Sequence, residues 1–211
     1  MKDRKTPPLA SRKLPQQARS SRLVADILEA AAQVLVRDGA RRFTTARVAE
    51  RAGISVGSLY QYFPNKEAIL FRLQTDEWQQ TSRLLHGLLA DRRHAPAARL
   101  RTLVKAFFRS ECEEAALRGA LGDAAPLYRD AAETHAHRRS GMRRVMIFMR
   151  EALPEARQTD RRRAADVMMM SMEAIGKAIS EDGRSMAEVD RMAAATADMF
   201  CAYLSHQNGA P

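Results

Sequence analysis

Residues 44–70, TTARVAERAGISVGSLYQYFPNKEAIL, constrain the fold of this chain more than any other stretch. Thr44 or Thr45 carries a hydroxyl that can accept a free backbone N–H at a helix start. Val48, Ala49 and Ala52 then fall on one helical face, since apolar residues three to four apart share a side. Gly53 stands where a helix stop needs a residue that tolerates φ > 0. Ile54 is placed to plug the space between two helices, and Ser55 can cap a second one over Val56–Tyr62. Leu59 and Phe63 make its buried side, and Val56, Gly57, Ser58, Gln61 and Tyr62 point away. Pro64 disfavours helix at the residue before it, and Asn65 can cap the next helix. The pattern is helix, tight turn, short helix, feeding a longer helix.

A short second helix braced by a first across a tight turn is what major-groove reading requires, with the first helix crossing the backbone. Gly57 carries no side chain, so base edges or phosphates can approach closely. The run GISVGSLYQYFPNKEAIL closely resembles the DNA-binding signature of the tetracycline-repressor (TetR) family. The resemblance covers about residues 20–70; beyond that it is one of layout. It implies base reading by Val56, Gly57, Ser58, Gln61 and Tyr62 and phosphate contact by Thr45, Tyr60 and Lys66; Ser55, at the start of the same helix, is counted with these DNA-binding residues. Arg47 joins them on its charge and exposed position. The tetracycline repressor itself has larger side chains around Val56 and Gly57, so its operator does not carry over.

Charge supports the same placement. Residues 1–66 carry 13 Lys and Arg against 5 Asp and Glu, while residues 67–211 carry 22 against 20. Most of the net +10 therefore sits on the segment with the helix-turn-helix, as a phosphate-binding surface needs. The alternative for residues 1–19 alone is a solubilising tail. Ala, Leu, Met and Arg dominate and β-branched runs are absent, which predicts an all-α protein. No apolar run of about 18 residues exists to cross a membrane, and the basic N-terminus lacks the apolar region of a secretory signal. Cys112 and Cys201 are far apart in the chain, which fits a reducing cytoplasm.

In chain order, residues 1–19 read as a disordered basic arm interrupted by Pro7, Pro8 and Pro15. A first helix is predicted over 20–37, ended by Gly39, and closes an N-terminal three-helix domain over 20–65. Residues 66–211 read as a second helical domain for ligand binding and dimerisation. Its helices are placed at 66–89, from Pro96, from Asp123 to Ala152, at 159–180, and from the capping box Ser185–Glu188 to about His206. A break is expected at Gly119–Gly122, and the total is about nine helices. The helix from Lys66 is long enough to connect the two domains mechanically.

The last two helices carry Val167, Met168, Met172, Ile175, Ile179, Val189, Met192, Thr196, Phe200 and Tyr203. An apolar arc this wide is buried on a wide arc, either in a monomeric core or in a four-helix dimer interface; the TetR layout favours the homodimer. Trp78, Leu85, Phe107, Phe108, Cys112, Met146, Phe148 and Met149 lie on separate helices of the second domain and could line one apolar cavity, with Glu111 or Arg150 for polar fixing. By resemblance this cavity takes a small-molecule inducer, largely apolar. No cofactor is expected. Glu133, His135 and His137 are two apart and point to different sides of a helix, which argues against a metal site. No hydrolase, zinc or phosphate-cradling motif appears. The expectation is a cytoplasmic, non-enzymatic, ligand-responsive repressor binding a palindromic double-stranded DNA operator. The rival readings are a basic interaction module and a small-molecule-binding enzyme, neither acting on DNA.

Overall fold

A computed structural model describes residues 18–128 and 132–209. The arm expected ahead of the first helix lies, up to residue 17, outside the described residues, as do the side chains of Glu133, His135 and His137. The described residues form nine α-helices and one 3₁₀ turn, with no strand among them: α1 Ala18–Arg42, α2 Thr45–Arg51, α3 Val56–Tyr60, α4 Lys66–Ala90, α5 Pro96–Glu113, α6 Ala115–Ala124, the 3₁₀ turn Ala125–Leu127, α7 Ala132–Ala152, α8 Gln158–Glu181 and α9 Met186–Gly209. Gly39 breaks the end of α1 with a positive φ of 74°. The break expected at Gly119–Gly122 is helical instead, and the interruption falls at Glu114, with φ −108° and ψ 12°. Burial of Leu121 and Ala124 on one face of α6 outweighs the low helix propensity of its two glycines.

The chain divides into two compact units, Met1–Trp78 with Ala116–Thr134, and Gln79–Ala115 with His135–Pro211. The first unit thus runs past 65, where the sequence pattern places a boundary, and takes in α6. Its core joins Ile27, Val34 and Leu35 of α1, Val48 and Ala49 of α2, Leu59, Phe63, and Ile69 and Leu70 of α4 to Leu121, Ala124 and Tyr128. Two polar ties secure α6 and the turn after it. Arg118 pairs with Glu77 at 2.9 Å, both nearly enclosed. The Tyr128 hydroxyl lies 3.1 Å from Gln74 Oε1 and 2.9 Å from the Leu121 carbonyl, and burial pushes its acidity down, raising its pKa.

In the second unit α5 packs against α8 and α9. Gly176 of α8 makes the closest crossing possible: a Cβ there would lie 2.9 Å from Phe107 Cε1 and 3.1 Å from Glu111 Cγ. On the other side Arg109 and Lys105 of α5 donate to Asp190 of α9. Arg109 first and Lys105 second hold the Asp190 carboxyl down at about 2. Arg99 is buried, donates to the Leu89 carbonyl and to Glu151 at 2.6 Å each, and stacks its guanidinium 5.5 Å from the Phe148 ring centre. A buried guanidinium is tolerated because it is paired and hydrogen-bonded.

Candidate nucleic-acid interface

Each end of α2 is closed by local hydrogen bonds. Thr44, with extended backbone, caps α2 by accepting the Arg47 N–H on Oγ1 at 3.3 Å. At the other end Gly53 adopts φ +68°. Gly53 N donates to Glu50 O at 3.1 Å and Ile54 N to Ala49 O at 3.0 Å, the bond pair of a Schellman stop, which needs a left-handed residue at this position. Ile54 then packs against the first unit's core. Ser55 opens α3, its Oγ accepting the Ser58 N–H at 3.0 Å, and the Ser55 and Ser58 hydroxyls lie 2.9 Å apart. Asn65 Oδ1 accepts the Ala68 N–H at 2.8 Å and starts α4 at Lys66.

Leu59 and Phe63 are fully buried and anchor α3 from below. Val56, Gly57, Tyr60 and Gln61 are exposed, and Ser58 is half-buried. A Cβ at Gly57 would meet only Ser55 Oγ, at 3.8 Å. Val56 at 38% exposure and Tyr60 at 39% leave an outward face of small and medium side chains. The Thr45 and Tyr60 hydroxyls lie 3.1 Å apart, so two of the three expected phosphate-contacting residues form one pair. The third, Lys66, is half-buried in the first turn of α4.

Tyr62 departs from expectation. It is 8% exposed and belongs to the core. The helix ends at Tyr60, two residues earlier than the spacing suggests, so Gln61 and Tyr62 lie in a turn and helical geometry no longer assigns their directions. Arg47 is also less free than its charge implies: Nη1 donates to Asp38 Oδ2 and to the Arg42 carbonyl, both at 3.2 Å. Arg51, four residues on, donates from Nε to Gln33 Oε1 at 2.6 Å. Asp38 and Gln33, which hold these arginines, had no local signal, since they lie nine and eighteen residues away.

The residues expected around a ligand divide between the units. Trp78 closes the first stretch of the first unit and is half-buried. Phe107, Phe108, Phe148 and Met149 are buried in the second unit's core, with Leu85, Cys112 and Met146 partly buried against it. Glu111 is half-buried beside Gly176, while Arg150 is exposed. Burial pushes the Cys112 thiol pKa up, with Glu111 and Glu113 acting the same way, so it is a poor thiolate nucleophile. Arg99 is the polar group among these side chains that the pattern missed.

The expected dimer residues also separate. Met168, Ile179, Val189, Thr196 and Phe200 are buried inside the subunit and are corrected to core residues. Met172, Ile175, Met192 and Tyr203 are half-buried, and Val167 is exposed at 47%. The outward stripe of α8 is Val167, Met170, Ala174 and Ala178; that of α9 is Ala195, Met199 and Ala202. A wide apolar arc does not distinguish inward from outward positions, so the periodicity selected the inner ones. Among the described residues no helix is long and apolar enough to cross a membrane.

Residues 27–73 match the family described as "Bacterial regulatory proteins, tetR family", and residues 95–207 match "Tetracyclin repressor-like, C-terminal domain". The HTH-type transcriptional regulator BetI of Paraburkholderia phytofirmans is 35% identical over 91 residues, 41% of this chain and 45% of that protein. The match thus spans under half the length of this curated relative. The fatty acid degradation regulator FadR from Bacillus halodurans superposes with a TM-score of 0.67 at 17% identity, covering 85% of this chain and 94% of its own. SmeT, the repressor of the Stenotrophomonas maltophilia multidrug efflux pump SmeDEF, does so with a TM-score of 0.61 at 22% identity, covering 85% and 89%. At these identities the two structures establish the fold, and the two family matches together with the capped helix-turn-helix place this chain in the TetR family of transcriptional regulators.

Proposed function

We propose that the chain is a homodimeric, cytoplasmic repressor that reads a palindromic operator with α3 and is released by a largely apolar small molecule. The observation that carries the DNA reading is the outward face of α3. Val56, Gly57 and Gln61 are exposed with Ser58 beside them, above a buried Leu59–Phe63 anchor and flanked by the Thr45–Tyr60 hydroxyl pair. Base edges are read by side chains on such a face, while hydroxyls and Lys66 hold phosphates. Tyr62 acts from the core, as support for the turn. Dimerisation rests on the outward apolar stripes of α8 and α9, where alanines allow close helix approach. Release rests on the aromatic and methionine-rich core of the second unit, and on the description of SmeT as the repressor of a multidrug efflux pump.

The test is selection of binding sites from random duplexes, followed by titration against salt. The selected site is expected to be two-fold symmetric, with half-site centres one helical turn or a multiple apart, about 34–36 Å per turn. Several phosphate contacts per dimer should lower affinity by roughly 10³ or more between 50 and 200 mM salt. A pool that converges on no sequence, or on a site without two-fold symmetry, overturns the reading.

A further inference from the structure

The outer side of α2 poses a question that the DNA-reading face does not answer. Seven residues make a helix too short to hold its own direction, and only Val48 and Ala49 anchor it in the core. Its rotation about its own axis is set by that anchor together with the polar contacts of its outer side. Arg47 and Arg51 are four apart and lie on one side of α2, and both reach back to α1. Arg51 Nε donates to Gln33 Oε1, and Arg47 Nη1 donates to Asp38 Oδ2 and the Arg42 carbonyl.

Asp38 is the centre of this brace. Arg37 holds the carboxylate from a second direction, donating from Nε at 2.7 Å and from Nη2 at 3.0 Å. The Asp38 side chain is only 15% exposed. Its pKa is lowered, chiefly by the Arg37 hydrogen bond against a smaller opposing effect of burial, so the charge is present throughout the neutral range. A carboxylate on the segment that must meet a polyanion opposes binding by Coulomb repulsion. Its presence there is explained by what it holds. The brace continues outward through the turn: Gly53 N and Ile54 N bond to Glu50 O and Ala49 O of α2, and Ser55 opens α3 directly after. A path of bonds therefore runs from α1 through α2 and the turn to the recognition helix.

We propose that Asp38 is a positioning residue for sequence reading, which fixes α2 through Arg47 and thereby sets the attitude of α3 in the groove. Arg47 belongs to this brace rather than to the phosphate contacts. The proposal rests on the DNA-reading function proposed above.

The test exploits a conflict of sign. If Asp38 acts only through its charge, Asp38→Asn removes repulsion and tightens binding to every duplex. If it positions α3, Asp38→Asn lowers affinity for the selected operator about tenfold, the effect of losing one charge-assisted hydrogen bond, while affinity for random duplex at low salt holds or rises. The ratio of operator to random-duplex affinity is decisive, because a loss of folded protein moves both affinities together. Should Asp38→Asn fail to fold, Arg47→Gln breaks the same bond from the exposed side and is read by the same ratio. Arg47→Gln also reports on phosphate contact: the salt slope should fall by well under the roughly 0.9 per subunit that a lost phosphate contact produces. An unchanged or higher ratio in the variant, or a slope loss of a full contact, overturns the brace while leaving DNA reading intact. A wild-type protein that selects no sequence overturns both together.

Discussion

In the proposed reading Tyr60 and Gln61 are neighbours with opposite tasks. Tyr60 ends α3 with its hydroxyl against Thr45, whereas Gln61 stands in the turn, exposed, with an amide that can donate and accept at once. Removing the Tyr60 hydroxyl should therefore weaken all sequences to a similar degree, since phosphate contacts carry no sequence information. Removing the Gln61 amide should change the preferred base at one position per half-site, costing about 1–3 kcal/mol against the best site. Repeating the site selection with Tyr60→Phe and Gln61→Ala checks this. An unchanged preference in Gln61→Ala together with an altered one in Tyr60→Phe would reverse the two roles.

Among the elements, α8 shows most clearly what packing decides. Its inner side closes on α5 at Gly176, and its outer side leaves Met170 70% exposed, while Met199 of α9 is 50% exposed. Carboxylates placed on these outer positions cost the folded subunit little, but in a dimer they would be buried without partners. Met170→Glu with Met199→Glu is expected to keep the wild-type melting temperature and helical content, elute as a monomer in sedimentation or light scattering, and lose operator affinity. A variant that stays dimeric would move the interface elsewhere. The start signals of the elements were legible beforehand because they are local. Thr44, Ser55 and Asn65 each cap the helix their position announces, and Ser185 and Glu188 form the expected reciprocal box. What escaped was set by distant partners. The helical path of α6 through Gly119 and Gly122 depends on burial of its other side, the inward turn of Tyr62 on where α3 stops, and the Arg99 buried pair on a glutamate 52 residues away.

At the scale of the molecule, the first unit is assembled from two separated stretches of chain. Leu121, Ala124 and Tyr128 lie in the same core as the helix-turn-helix and are 4% exposed or less. A fragment ending at Trp78 would uncover that core, and loss of Leu121 and Tyr128 alone removes burial worth about 3–5 kcal/mol, a large share of a small domain's stability. Such a fragment is expected to melt without a cooperative transition, whereas one with residues 116–128 joined back through a flexible linker should regain it; circular dichroism melts distinguish the two. The same topology bears on how proteins of this design can exchange parts. A crossover near residue 78 hands the recipient a recognition surface whose underside was shaped by another parent's α6. The heritable module is therefore a discontinuous one, and a working hybrid must carry α6 along with the helices it supports or refit its inner face to them.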